Sequence, residues 1–364
     1  MTLQELFFKL LRHKSITPDD AGLLDFIEEY LSDFTAIRID INDTKNLFLY
    51  KVFSKGEHLC FAGHVDVVPP GIGWNSDPFE PTLKDGFVHA RGTQDMKSGV
   101  AAFLKACKDA KDFNGTLSII LTSDEEGDAK FGTIEVLKYL KNKNMIPDFS
   151  IVAEPTCEGV FGDTIKIGRR GSINGIIEVF GKQGHAAYPQ KSVNTINLIS
   201  PLLDKLTAHN FDRGDENFAP SELVVTDIRS GMEVTNVTPG HLKLMFNVRN
   251  STKTSKEDIE TYINTLLKEL DFKLILNQSA KSFVTKRDSK IVKLLQSVVQ
   301  DITKVNPQLT TGGGTSDARL LAEFGVKTVE LGVINDRIHA INERCKLQEV
   351  EDLTKIFIKI IEKF

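Results

Sequence analysis

The strongest constraint on the fold is an alternation. Short apolar, β-prone runs at Leu47 to Phe53, Leu59 to Gly63, Leu117 to Ser123 and Phe149 to Ala153 are interleaved with helical patterns. Those patterns cover Ser98 to Lys111 and Thr133 to Lys141, and two amphipathic helices, near Leu3 to Leu11 and Leu23 to Leu31, precede the series. A strand, a crossover helix and a second strand in one sheet give parallel pairing, so this region is an α/β fold with a mostly parallel sheet flanked by helices.

From Ser172 the rhythm changes. A strand (Ile173 to Phe180), a long helix (Ser192 to Ala208), two strands (Glu222 to Ile228, Leu242 to Val248), a helix (Lys256 to Leu270) and a strand (Phe272 to Leu276) follow in the order βαββαβ. That order describes a ferredoxin-like α+β unit. Near Ser289 the chain returns to a long helix, a Gly-rich loop, a short helix, a strand at Val326 to Leu331 and a closing helix, Leu347 to Phe364. The simplest arrangement has residues 1–171 and 286–364 forming one domain and residues 172–285 inserted into it. A chain of 364 residues suits two such cores. An inserted unit of this kind serves as a lid or an oligomer interface.

The net charge is -5 and no block of Lys and Arg forms a phosphate-binding stripe, which excludes nucleic acid as a partner. No segment approaches the roughly 20 apolar residues that a membrane span needs, so a soluble cytoplasmic protein is expected. Cys60, Cys107, Cys157 and Cys345 form no C-x-x-C pair and read as buried filler.

Chemistry gathers where strands end. His64-Val65-Asp66 follows the Leu59 run, and Asp124-Glu125-Glu126-Gly127 follows the Leu117 run. Glu154-Pro155 follows the run ending at Ala153, Asp95 sits on the turn before the helix that starts near Ser98, and His339 stands in a loop after the last strand. One carboxylate before a helix can be a cap, and one histidine in a loop is unremarkable. Like charges gathered on a single rim repel one another and call for a strong cation, and a mixture of carboxylate and imidazole suits zinc or a related ion. A carboxylate two residues from a histidine can hold its second ring nitrogen. The run Gly312-Gly313-Gly314 lacks the Lys-Ser/Thr ending of a phosphate loop and instead permits close backbone approach to a substrate.

In this order the motifs resemble the zinc-dependent aminoacylase/carboxypeptidase family along essentially the whole chain. The resemblance rests on His64-x-Asp66, Gln94-Asp95-Met96-Lys97-Ser98-Gly99, Ser123-Asp124-Glu125-Glu126-Gly127 and Glu154-Pro155. It continues through Gly168-Arg169-Arg170-Gly171-Ser172, Gly184-His185-x-x-Tyr188-Pro189, Gly313-Gly314-Thr315-Ser316-Asp317 and His339-x-x-Asn342-Glu343. It implies two zinc ions per subunit, with cobalt as a substitute. His64 and Glu154 hold one ion, Glu126 and His339 the other, and Asp95 bridges both. Asp66 orients His64, and Glu125 is the general base toward a metal-activated water.

The resemblance also assigns substrate contacts. Arg169, Tyr188, Thr315 and Asn335 line the acyl-group pocket, and Arg249 is a further carboxylate contact. His185 and Asn236 reach from the inserted domain into the partner subunit's site, His185 steadying the developing oxyanion, so a homodimer is implied. The expected activity is hydrolysis of an amide in a small, charged acylated amino acid. A related deacylase of the acetylornithine type, a dipeptidase and a non-catalytic binding protein of the same fold are the alternatives.

Overall fold

The computed structural model describes residues 1–364, which fall into two compact units. The larger comprises Met1–Gly168, Thr285–Thr310 and Ser316–Phe364; the smaller comprises Arg169–Val284 and Thr311–Thr315.

The larger unit is built on an eight-stranded sheet. Its strands in chain order are β1 (Thr35–Arg38), β2 (Asn46–Val52), β3 (Glu57–His64), β4 (Gly115–Thr122), β5 (Phe149–Val152), β6 (Thr164–Lys166), β7 (Gln308–Thr310) and β8 (Lys327–Glu330). They lie side by side as β1-β2-β4-β3-β5-β8-β6-β7. The four central strands β4, β3, β5 and β8 run parallel, whereas β1 and β2 pair antiparallel at one side. The central strands are buried along almost their whole length, which explains why they read as continuous apolar runs. β1, β6 and β7 are too short and mixed in character to show a period.

The helices of this unit are α1 (Leu3–Arg12), α2 (Leu23–Tyr30), α3 (Lys97–Asp109), α4 (Thr133–Asn142), α5 (Lys290–Thr303), α6 (Ala318–Glu323) and α7 (Leu347–Lys363). α1 starts at a capping box, in which Glu5 N–H donates to Thr2 Oγ1 at 3.2 Å and Thr2 N–H donates to Glu5 Oε2 at 2.8 Å. The helix then buries Leu6, Phe7, Leu10 and Leu11. Phe61 of β3 packs between Phe103 of α3 and Phe357 of α7, with ring centroids 5.8 and 5.0 Å away. All three rings are excluded from solvent, and each contributes roughly 1.5–3 kcal/mol. The four cysteines are free and buried in this unit. Burial pushes the thiols of Cys60 and Cys157 up to about 12 and about 11, and those of Cys107 and Cys345 well above the ordinary value.

The smaller unit has a five-stranded antiparallel sheet in the order His209–Asn210, Glu222–Ser230, His241–Val248, Ser172–Phe180, Asp271–Ala280. One face carries the core, including Ile177, Leu244, Phe246, Ile259 and Ile263. The long helix expected over Ser192 to Ala208 is not continuous. It breaks into Thr195–Ile199, a 3₁₀ turn Ser200–Leu202 and Leu203–Leu206. Pro201 is the reason: Ser200 keeps a helical backbone, φ -56° and ψ -37°, but Pro201 has no N–H to donate and its ring crowds the carbonyl four residues back, so the α-helical bonding gives way to a 3₁₀ turn. No helix of the chain is long and apolar enough to cross a membrane.

Candidate metal centre

Because β3, β4, β5 and β8 are parallel, their C-terminal ends share one edge, where open α/β sheets bind ligands. β3 delivers His64, β4 runs into Glu125 and Glu126, β5 into Glu154, and the segment after β8 carries His339. Asp95 enters from the turn before α3.

Asp95 lies at the middle of this group. Its Oδ1 is 3.1 Å from His64 Nε2, and its Oδ2 is 3.4 Å from His339 Nε2. On the first side Glu154 Oε1 stands 3.8 Å from His64 Nε2; on the second, Glu126 Oε1 stands 3.0 Å from His339 Nε2. The two oxygens of one carboxylate therefore face two separate histidine–glutamate pairs. Ligand atoms around a tetrahedral ion with bonds of about 2.0–2.2 Å lie roughly 3.3–3.6 Å apart, so spacings of this order and this nitrogen and oxygen donor set suit the binding of a divalent transition ion. One ligand atom each from His64, Asp95 and Glu126 lies within 4.8 Å of the others.

The ring of His64 is fixed from behind. Its Nδ1 is 2.9 Å from the carbonyl oxygen of Asp66 and 3.5 Å from the carboxylate of the same residue. With Nδ1–H donating there, loss of the Nε2 proton would leave a lone pair facing Asp95 and Glu154, the form that ligates a metal. The Asp66 carboxylate, fully buried, accepts the N–H of Glu126 at 3.1 Å and meets that of Glu125 at 3.4 Å. Asp66 thus holds the loop that presents Glu125 and Glu126 as well as the ring of His64.

Electrostatics agree with a site built for cations. Burial, reinforced by Asp317, Asp95 and Glu126, pushes Glu125 up to about 8, and burial beside Asp95 raises Glu154 well above the carboxylate range. Hydrogen bonds to Asp95 and Glu126 push His339 up to about 10. Burial opposes charge on His64, but its contacts with Asp66 and Asp95 raise it well above the ordinary value. Burial likewise opposes charge on Asp95, while the hydrogen bonds from His339 and His64 hold its carboxyl well below the usual range. Without a metal the group compensates its carboxylates with protons.

A second layer of buried polar groups lies around these residues. Thr133 Oγ1 donates to Asp317 at 2.6 Å, and Ser316 Oγ donates to Glu330 at 2.7 Å. Glu343, also buried, accepts the N–H of Gln94 at 2.6 Å and of Gly92 at 3.0 Å and pairs with Arg91 at 2.7 Å. Glu343 closes the motif that starts at His339, and Arg91 stands three residues ahead of the Gln94 motif, yet sequence reasoning gave neither a role. An acidic residue three or four positions after a loop histidine looks like a surface residue until its partners near residue 92 are known.

In the smaller unit, Arg169 is buried and donates from Nη1 to the carbonyls of Gly312 and Gly314 at 3.2 and 3.1 Å. Thr315 follows on the same loop and is exposed. His185 and Tyr188 lie together, ring centroids 5.8 Å apart, and the carbonyl of Asn236 accepts the N–H of Ala186 at 2.9 Å. His185 Nδ1 accepts the N–H of Ala187 at 3.1 Å, which leaves the proton of its neutral ring on Nε2 as a donor. Arg249 is exposed. Asn335 belongs to the larger unit, where its N–H donates to the carbonyl of Cys157 at 2.9 Å.

Residues 60–363 match the sequence profile of peptidase family M20/M25/M40, and the chain belongs to that family of hydrolases. Among named relatives, succinyl-diaminopimelate desuccinylase of a Nitratiruptor species is 60% identical over 364 residues, covering 100% of both chains. The protein of the same name from Aliarcobacter butzleri is 56% identical over 366 residues, again covering 100% of both. Solved structures show the same fold at low identity. Aminopeptidase PepT from Bacillus cereus superposes with a TM-score of 0.80 at 21% identity, covering 99% of this chain and 97% of its own. The YXEP protein of Bacillus subtilis, described as a dinuclear metal-binding peptidase of the M20 family, superposes with a TM-score of 0.68 at 14% identity, covering 99% and 96%.

Proposed function

We propose that the chain hydrolyses the amide of N-succinyl-LL-2,6-diaminopimelate, releasing succinate and LL-2,6-diaminopimelate, in the biosynthesis of diaminopimelate and lysine. The observation that carries this reading is the 60% identity, over the full length of both chains, to a relative bearing the corresponding name. His64 and Glu154 would hold one zinc ion and Glu126 and His339 the second, with Asp95 serving both, and cobalt could replace zinc. Two such ions, when bound, polarise the amide carbonyl and acidify water.

The remaining work falls to the chain's own groups. Glu125, pushed up to about 8 in the metal-free chain, is poised to accept a proton from water and pass it to the departing nitrogen, so that water and amide become carboxylate and amine. Asp66 holds the loop that aims it. Residues 1–171 and 286–364 act as the catalytic domain, and residues 172–285 as a lid and dimerisation domain. Arg169, Tyr188, Thr315, Asn335 and Arg249 bind the acylated substrate; Arg169, always charged, is suited to its carboxylate. His185 and Asn236 act in the partner subunit's site, where His185 Nε2–H donates to the developing oxyanion. Pairing of the smaller units is supported by the edge of Glu222–Ser230, which beyond Leu223 has no strand on its outer side and exposes Val224 and Ile228. The working compartment is the cytoplasm.

The test is a comparison of kcat/KM for zinc-loaded protein on succinyl-diaminopimelate, acetylornithine and a simple dipeptide. Preference for the first by about 100-fold or more is expected. A dipeptide or acetylornithine turned over faster would transfer the chain to a sister activity.

A further inference from the structure

Three loops of the larger unit meet at one buried ion pair. The turn at residues 91–95 carries Asp95, the loop at 339–343 carries His339, and the loop at 70–75 lies beside both. Glu343 Oε1 accepts the N–H groups of Gln94 at 2.6 Å and Asp95 at 3.3 Å, and its Oε2 accepts that of Gly92 at 3.0 Å. Successive N–H groups wrapped around a carboxylate fix the path of a turn. Gly92 makes the wrap possible: its φ is +84°, and a Cβ there would lie 2.8 Å from Val67 Cγ1.

Arg91 extends the tie to the other two loops. Its Nη1 pairs with Glu343 at 2.7 Å, while Nη2 donates at 3.3 Å to the carbonyl of His339 and at 3.3 Å to that of Pro70. The carbonyl of His339 is one that needs holding. The backbone there is left-handed, φ +60°, which is unfavourable for a residue with a Cβ and persists only where neighbouring structure imposes it. Asn342, at φ +56°, is held in turn by the N–H of Asn75, which donates to its Oδ1 at 2.8 Å.

We infer that the buried Glu343–Arg91 pair is a positioning device for the metal centre, setting the separation of Asp95 from His339 and hence the affinity for the ion on the His339 side. The inference rests on the reading of Asp95 and His339 as metal ligands. A buried ion pair contributes little net stability compared with apolar packing, so its value here lies in geometry: the carboxylate joins Asp95 to Arg91, and the guanidinium joins Arg91 to His339. Both residues act through others and touch neither metal nor substrate.

The experiment titrates metal-free Glu343→Gln, Arg91→Lys and His339→Ala proteins with zinc against a competing chelator, and records the visible absorption of the cobalt forms. Glu343→Gln keeps the size of the side chain and removes its charge. Arg91→Lys keeps the charge but presents one nitrogen where the guanidinium presents two. Each is expected to weaken the second ion by about 10–100-fold, the range for residues that orient ligands, and to alter the cobalt spectrum. Arg91→Lys, with Glu343 still wrapped by Gly92 and Gln94, leaves the first ion within about threefold. If Glu343→Gln does not fold, Arg91→Lys decides. Normal binding of both ions by Arg91→Lys and by any folded Glu343→Gln, while His339→Ala loses one, overturns the positioning role and leaves the metal reading intact. Unchanged binding in His339→Ala overturns the metal reading itself.

Discussion

Gly99 offers a demanding test of how tightly the site is built. It lies in the first turn of α3, where the helix backbone approaches the Ala153–Glu154 segment so closely that a Cβ at Gly99 would stand 2.5 Å from Ala153 Cβ and collide with the Ala153 carbonyl. Carbon atoms prefer about 3.5–4.0 Å, so Gly99→Ala obliges the helix or the segment to give by roughly 1 Å. Alanine gains up to about 1 kcal/mol of helix propensity, and overpacking costs about 1–3 kcal/mol, so a net loss of about 1–2 kcal/mol is expected. The catalytic effect exceeds this. Glu154 is the next residue along, and a misplacement of about 1 Å costs on the order of 10²-fold, or about 2.7 kcal/mol of barrier. Gly332 approaches the same segment, a Cβ there lying 2.8 Å from the Glu154 carbonyl carbon and 2.9 Å from the Ala153 carbonyl oxygen, so Gly332→Ala should act alike. Urea unfolding and kcat/KM of zinc-saturated protein measure both effects. Gly159→Ala, whose nearest neighbour would be Asp163 Oδ2 at 3.7 Å, serves as the comparison and should change little. A Gly99→Ala protein with ordinary stability and ordinary turnover would refute the claim that this contact sets the position of Glu154.

Glu125→Gln should retain metal and fold while losing about 10²–10⁴-fold or more in kcat, since an amide cannot accept the proton; near-normal turnover would give Glu125 another role. Metal-free protein should lose stability as pH rises. Glu125 and His339 are both raised in the folded chain, so their contributions are complete below about 4.5 and about 6.5 and are lost as pH passes about 8 and about 10. Thermal melts of chelated and zinc-loaded protein between about pH 6 and about pH 9 should therefore diverge with rising pH; parallel curves would contradict the assignment. Mixing His185→Ala with Glu125→Gln chains under conditions of subunit exchange should restore activity, to about half of the sites in mixed dimers, if His185 serves the neighbouring chain. Exchange without recovery would confine His185 to its own chain.

The sequence disclosed the elements whose burial is uniform. β3, β4 and β5 lie in the centre of the sheet, so their apolar runs are uninterrupted, and the acidic and histidine residues just past them stand out by contrast. α3 and α7 were equally plain from their period. Three-residue strands such as β6 and β7 have no period to read. Over Ser192 to Ala208 the hydrophobic spacing is helical, but Pro201 lies inside it and interrupts the α-helical hydrogen bonding. Within the site, the strand-end residues were legible by position, and the supporting layer was not. Glu343 depends on the N–H groups of Gly92 and Gln94, far away along the chain, and no local pattern announces a hydrogen bond made to another segment's backbone. For the same reason Asp66 was expected to act through its carboxylate on His64, whereas the nearer contact is its carbonyl and the carboxylate serves the backbone of Glu126.

The placement of the cysteines makes the chain its own reporter of opening. All four thiols are in the larger unit, shut away from water and held in the protonated form, and the smaller unit contains none. A disulfide reagent reacts with thiolate, so at neutral pH the folded chain should be inert, and each labelling event should record a transient opening of the structure around one named sulfur. Cys60 on β3 and Cys107 on α3 lie in the packed interior and should label at the rate of global unfolding, whereas any earlier modification of Cys157 or Cys345 would mark a local opening. If the smaller unit melts first, circular dichroism will change while the thiols stay silent, and the interval between the two signals will measure how independently the two units unfold.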